Sequence, residues 1–255
     1  MKFSTSLFLS FLLIPIFSFG AKKILDVGTK PESVCRGFGG KLYVTMINGD
    51  EAGDGEIKMI DGDKITVFAK GLNNPKGMAF VGGFLVASDE TMLRKIDKKG
   101  KVTVLAKAED FPKEVTFLND VARSRDGKSV YVTDMSHPKW MFDPDGERKL
   151  WPVDSDKAVP PMTGCVYKVT LDGKPGPNGV GVTGAKGKEI LLMGDFFTGN
   201  VLAYSDDKLR IVAKGMRGAD AVEAFGDKIY VSSWPLGKVW AYDRKTKKSK
   251  VLSDE

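Results

Sequence analysis

Apolar and polar residues alternate along this chain in short runs, each closed by a turn containing glycine or aspartate. The clearest unit is Phe117-Leu118-Asn119-Asp120-Val121-Ala122, a tight turn at Arg125-Asp126-Gly127-Lys128, and a second run Ser129-Val130-Tyr131-Val132-Thr133-Asp134. It reads as a polar strand start, an apolar strand, a turn, a second apolar strand and an acidic end. Related units start at Glu32, Asn74, Asn178 and Asp220, so five copies are present. Each is followed by further β-rich runs, such as Ile57-Lys58-Met59 and Thr66-Val67-Phe68, with Asp61-Gly62-Asp63 as a hairpin signal between them. A period of roughly 40 to 60 residues with four short strands per copy is the signature of a β-propeller blade, and the pattern excludes helical repeats.

The first twenty residues follow a different pattern. Lys2 precedes an apolar run over residues 7–17, too short to span a bilayer, and the small residues Ser18 and Gly20 stand just before Ala21. Residues 1–20 therefore read as a cleavable secretory signal. No later segment is apolar for long enough to anchor the chain, so the expected product is a soluble periplasmic or secreted protein without stable membrane insertion. Residues 21–255 carry no Ser/Gly- or Pro-rich linker and read as one domain.

Residues 22–27 look like a fourth, outer strand with no inner strands ahead of it. Residues 249–252 already supply the fourth strand of the fifth repeat. Two outcomes stay open: a five-bladed ring with an extra strand, or a six-bladed design whose sixth blade is represented mainly by the amino-terminal outer strand.

The net charge of +6 is scattered through turns without aromatic interleaving, which describes a solvated surface and argues against a nucleic-acid partner. The two cysteines of an exported chain suggest a disulfide. However, Cys35 falls in the first strand of the first repeat and Cys165 opens the third strand of the third, so two buried free thiols are expected.

In a propeller blade the first strand starts, and the second ends, at the same face beside the central channel. Glu32, Asn74, Asn119, Asp120, Asn178 and Asp220 thus share a mouth with residues 48–51, 89–90, 134–137, 195–198 and 233–234. Carboxylates and amides without clustered His or Cys suit calcium best, or another hard divalent cation, and disfavour zinc, since His137 is the only histidine. Asn and Asp at strand starts also cap turns, so spacing alone leaves both readings open.

The strand-start pattern Glu32, Asn119-Asp120, Pro177-Asn178-Gly179 and Gly218-Ala219-Asp220 resembles the regucalcin and gluconolactonase family of calcium-dependent six-bladed propeller hydrolases. Diisopropyl fluorophosphatase, paraoxonase and strictosidine synthase are more distant relatives of that family. The resemblance implies that Glu32, Asn178 and Asp220 hold the metal and that Asn119 completes the shell or orients the substrate. It also makes Asp220 the candidate nucleophile or general base. Two departures narrow the chemistry. A single histidine does not allow the paraoxonase-type His pair, and Phe117-Leu118 stand where gluconolactonases carry an arginine, which argues against a polar sugar acid.

Residues 136–164 form an insertion containing Trp140, Met141, Phe142 and Trp151, expected to lie over the polar mouth as an apolar lid. The substrate-binding candidates are Asn74, Asn119, Asp120, His137, Trp140, Phe142, Phe196 and Trp234. The expected function is an exported calcium-dependent hydrolase of a lactone or related ester acting on a small molecule. The alternative is a non-catalytic propeller that binds a protein or glycan.

Overall fold

Val132 stands opposite Val121 on one side and Tyr167 on the other, so the hairpin singled out in the sequence forms and gains a third strand. The same event occurs five times. The computed structural model describes residues 25–136, 142–143, 150–151, 164–173, 175–177, 182–185, 188–196 and 198–254. Blade 1 comprises β1 (Pro31–Arg36), β2 (Leu42–Met46), β3 (Gly55–Asp61) and β4 (Lys64–Leu72). Blade 2 comprises β5 (Pro75–Val81), β6 (Phe84–Asp89), β7 (Met92–Ile96) and β8 (Val102–Ala106). Blade 3 holds β9 (Leu118–Arg123), β10 (Ser129–Asp134), β11 (Cys165–Thr170) and β12 (Pro175–Pro177). Blade 4 holds β13 (Val182–Ala185), β14 (Lys188–Gly194), β15 (Val201–Ser205) and β16 (Lys208–Ala213). Blade 5 holds β17 (Ala219–Phe225), β18 (Lys228–Ser233), β19 (Lys238–Asp243) and β20 (Lys248–Asp254).

Every sheet is an antiparallel meander of four consecutive strands, which makes the chain an all-β propeller with five blades. Turn chemistry enforces the meander. The β5–β6 hairpin turns through Gly82 and Gly83, both at positive φ, and β15–β16 through Asp206 and Asp207 at φ 52° and 57°. Two central residues at positive φ make the turn whose twist matches antiparallel strands.

Alternation then decides what each blade buries. Ile57, Tyr43 and Leu72 of blade 1 pack on Met78, Leu85 and Ile96 of blade 2, with Phe38 against Phe80 and Tyr43 against Phe68, each pair at 4.9 Å between ring centroids. Val81, Val86 and Leu93 meet Leu118, Val130 and Val132 between blades 2 and 3. Leu192, Val201 and Met216 meet Val222, Val231 and Trp240 between blades 4 and 5. Each fully buried aliphatic side chain contributes about 1.5–3 kcal/mol by leaving water.

The flanks that look across from blade 5 to blade 1 differ. Val34 alternates with Cys35, which packs toward blade 2, and Phe225 alternates with Ala224, which packs toward blade 4. Val34 and Phe225 are 59% and 77% exposed, so apolar packing does not seal this seam at those positions.

Residues 25–27 depart from the expected outer strand. They adopt no strand, and Leu25 and Val27 pack on Val44, Met46 and Ile60, while the Lys58 ammonium donates to the Val27 carbonyl at 2.8 Å. The reason is energetic. The free flank of blade 1 offers apolar surface to cover, whereas the outer edge along β4 presents Lys64, Val67 and Lys70 to solvent. Residues 22–24 and the signal expected over residues 1–20 lie outside the described residues. Among the described residues no helix is long and apolar enough to cross a membrane. Both cysteines are free, as expected from their separation, but half-buried where full burial was expected.

Candidate functional site

The innermost strands bring Glu32 (β1), Asp120 (β9) and Asp220 (β17) together from three blades. They lie far apart in sequence, yet their charges act on one another across the channel. Burial and then the Asp220 carboxylate push Glu32 up from 4.5 to about 8, with Lys76 opposing and Asp120 adding to the rise. Burial raises Asp120 to about 6, opposed by the Val121 N–H and reinforced by Asp220 and Glu223. Asp220 is raised by burial and held down by Lys76. It is open to channel water yet walled by protein, so Glu32 is the member of the pair that keeps the proton.

Lys76 was not among the residues singled out in the sequence. It sits in β5 within this carboxylate group, donates to the Asn74 side-chain oxygen at 2.8 Å, and lies 5.5 Å over the Phe117 ring. Burial lowers its pKa while Glu32 and Asp220 hold it up. The signal that could have found it is register: Lys76 follows the strand start Asn74 by two residues, on the same side of an alternating strand.

Gly77 sets the spacing. A Cβ there would meet the Asp120 Cα and Val121 N at 2.5 Å, so β5 and β9 touch backbone to backbone. The Ser88 hydroxyl donates to the Asn119 carbonyl and adds a second tie between these blades.

A cavity of about 260 Å³ opens beside the group. Asn119, Asp120 and Asp220 line its polar side, and Leu192, Met193, Phe196 and Val222 its apolar side. Of the other candidates, Asn119 also directs its amide to the Met135 sulfur at 3.3 Å, and Asn74 serves Lys76. Phe142 makes an isolated bridge with Leu150. Trp234 is 62% exposed and does not line the cavity. Asn178, His137 and Trp140 lie outside the described residues, as does most of the expected lid.

The acidic ends of the second strands have a different task. Asp89 accepts the Asn73 and Asn74 N–H groups at 2.9 and 2.8 Å and pairs with Arg94. Asp134 accepts those of Thr116, Phe117 and Ser136. Asp195 caps its own turn at Thr198. These carboxylates fasten the loops that deliver the strand-one residues.

The raised carboxylates predict a pH dependence of stability. Glu32 binds its proton more tightly in the folded state than unfolded, so its contribution is complete below about 4.5 and is lost as pH rises through about 8. Melting temperature measured in chelator should fall across that window, and Glu32→Gln should flatten the fall. A slope unchanged in the variant would assign the dependence to other groups.

No family model matches the chain, and no curated protein matches it. Among solved structures, a chain from the crystal structure of a nidogen/laminin complex is similar at 15% sequence identity, with a TM-score of 0.62. The match covers 88% of this chain and 80% of that one, a likeness of fold.

Proposed function

We propose that this chain is an exported hydrolase of a lactone or related ester, working at the channel mouth on a small, largely apolar substrate. The observation that carries the reading is the convergence of Glu32, Asp120 and Asp220, with proton affinities moved toward neutrality, beside a cavity with one apolar wall. Perturbed carboxylates in a cleft are suited to moving protons near pH 7. Asp220 would take a proton from attacking water, and Phe196 and Leu192 would hold the apolar part of the substrate and limit competing water.

Donor chemistry supports a calcium ion as cofactor. Glu32, Asp120 and Asp220 gather carboxylate oxygens at one place, and hard oxygen donors suit calcium. Among the described residues no group of three or more His, Cys, Asp or Glu is gathered into a cage. The shell would therefore draw on Glu32 and Asp220 with the amides of Asn119 and Asn178, as the resemblance to the gluconolactonase family implies. When bound, the ion would supply polarisation of a carbonyl oxygen.

Calcium should raise the melting temperature and chelator should reverse the rise. Saturation at a hundred times the dissociation constant stabilises the fold by about 2.7 kcal/mol. Ester turnover that disappears in chelator is the expected companion result; no shift and no turnover would remove the proposal.

A second reading, a binding propeller without catalysis, draws on the exposed Trp234 and Leu236 and on the likeness to a chain from a protein–protein complex. It expects no ester turnover with or without calcium.

A further inference from the structure

An ester carbonyl attacked in this channel gains charge on its oxygen, and a fixed ammonium would share that charge with the ion proposed above. Lys76 does not line the cavity itself, but its charge acts on Glu32 and on the cavity-lining Asp220. Its backbone is fastened on both sides: Asn73 and Asn74 donate to Asp89, and the Lys76 carbonyl accepts the Thr45 hydroxyl at 2.8 Å. The next residue, Gly77, lies against the backbone of β9. An ammonium carries three donors. One goes to Asn74, and among the described residues the Lys76 ammonium makes no other hydrogen bond. Two N–H groups therefore remain for a ligand, on a side chain already steered by the Phe117 ring. Pre-set donors aimed at developing charge contribute more to rate than donors that must reorganise.

We propose that the Lys76 ammonium binds the carbonyl oxygen of the substrate and stabilises the oxyanion of the tetrahedral intermediate, making it a catalytic residue of the hydrolysis proposed above, on which this inference rests. Water oxygen bonds to the carbonyl carbon, the carbonyl π pair moves onto oxygen beside Lys76, and the water proton passes to the Asp220 carboxylate. Collapse restores the carbonyl and breaks the bond to the leaving oxygen, which takes the proton back from Asp220. Water and ester become acid and alcohol, with no other reactant. The substrate itself is then an uncharged ester, since a ground-state anion would meet Glu32, Asp120 and Asp220.

The test uses the full chain with Lys76→Met and Lys76→Arg, each checked for an unchanged melting temperature. Turnover is read on p-nitrophenyl acetate. Binding is read calorimetrically on two probes, the tetrahedral monoanion p-nitrophenyl methylphosphonate and the planar, neutral p-nitroacetanilide. Lys76→Met should lower kcat by about 10²- to 10³-fold with KM nearly unchanged. It should weaken phosphonate binding at least as much as Lys76→Arg does, by about tenfold or more, and leave the anilide untouched, with Lys76→Arg recovering part of both losses. Equal loss of both probes, or turnover unchanged in Lys76→Met, would overturn the assignment while leaving hydrolysis intact. A wild type that turns over no ester yet binds the phosphonate through Lys76 would refute the hydrolase reading and keep the oxyanion site.

Discussion

Asp220→Asn should lower ester turnover by about 10²- to 10⁴-fold, the usual contribution of a positioned general base, while the protein stays folded. The amide keeps an oxygen in the channel but cannot accept the water proton. Its neutrality has a second, independent readout. The Asp220 charge is the largest influence on Glu32 after burial, so its removal should bring the Glu32 pKa down from about 8 toward the usual carboxylate range. Carboxyl carbon shifts followed by NMR would show this whether or not a substrate is in hand. Turnover equal to wild type would remove Asp220 from the chemistry, and a Glu32 titration unmoved by the substitution would mean that the two do not share a site.

Gly77→Ala should damage the fold severely for so small a change. The added methyl group meets backbone atoms of Asn119, Asp120 and Val121, which cannot rotate away, so blades 2 and 3 must part. Overpacking of this kind costs about 3 kcal/mol, which lowers the melting temperature of a domain this size by roughly 6–12 °C. Gly62→Ala makes a control: nothing lies within 4 Å of its Cβ position, so only the strain of its φ of 60° is felt. If the two variants melted together, the close approach of β5 and β9 would not be what the glycine provides.

The repeats were legible because a strand buried on one flank must alternate, and because turns such as Gly82-Gly83 need residues that tolerate positive φ. Glu32, Asp120 and Asp220 were legible for a related reason, since polar residues recur at the starts of otherwise apolar inner strands. What could not be read was which polar residues face the channel and which fasten loops. Asp89 and Asp134 look like site residues in sequence, yet their oxygens are taken by backbone N–H groups, a fact that depends on loop geometry. Lys76 was obscured for the opposite reason. A lysine in a strand normally snorkels to solvent, whereas this one turns to the Asn74 side chain and the Phe117 ring. The segment at residues 25–27 has strand-like alternation, but the partner that rewards it is a sheet face, where no backbone ladder forms.

Among the described residues each sheet is built from four consecutive strands, and no described strand from one end of the chain is woven into the blade at the other. With Val34 and Phe225 left open to solvent, the groups that speak across the remaining seam are charged: Glu32 on the first blade and Asp220 on the last. Glu32 holds its proton up to about pH 8, which relieves their repulsion, so the two ends repel only where both carboxylates are ionised. The meeting of the first and last blades is thereby tied to the protonation of the channel itself, and it loosens as Glu32 ionises.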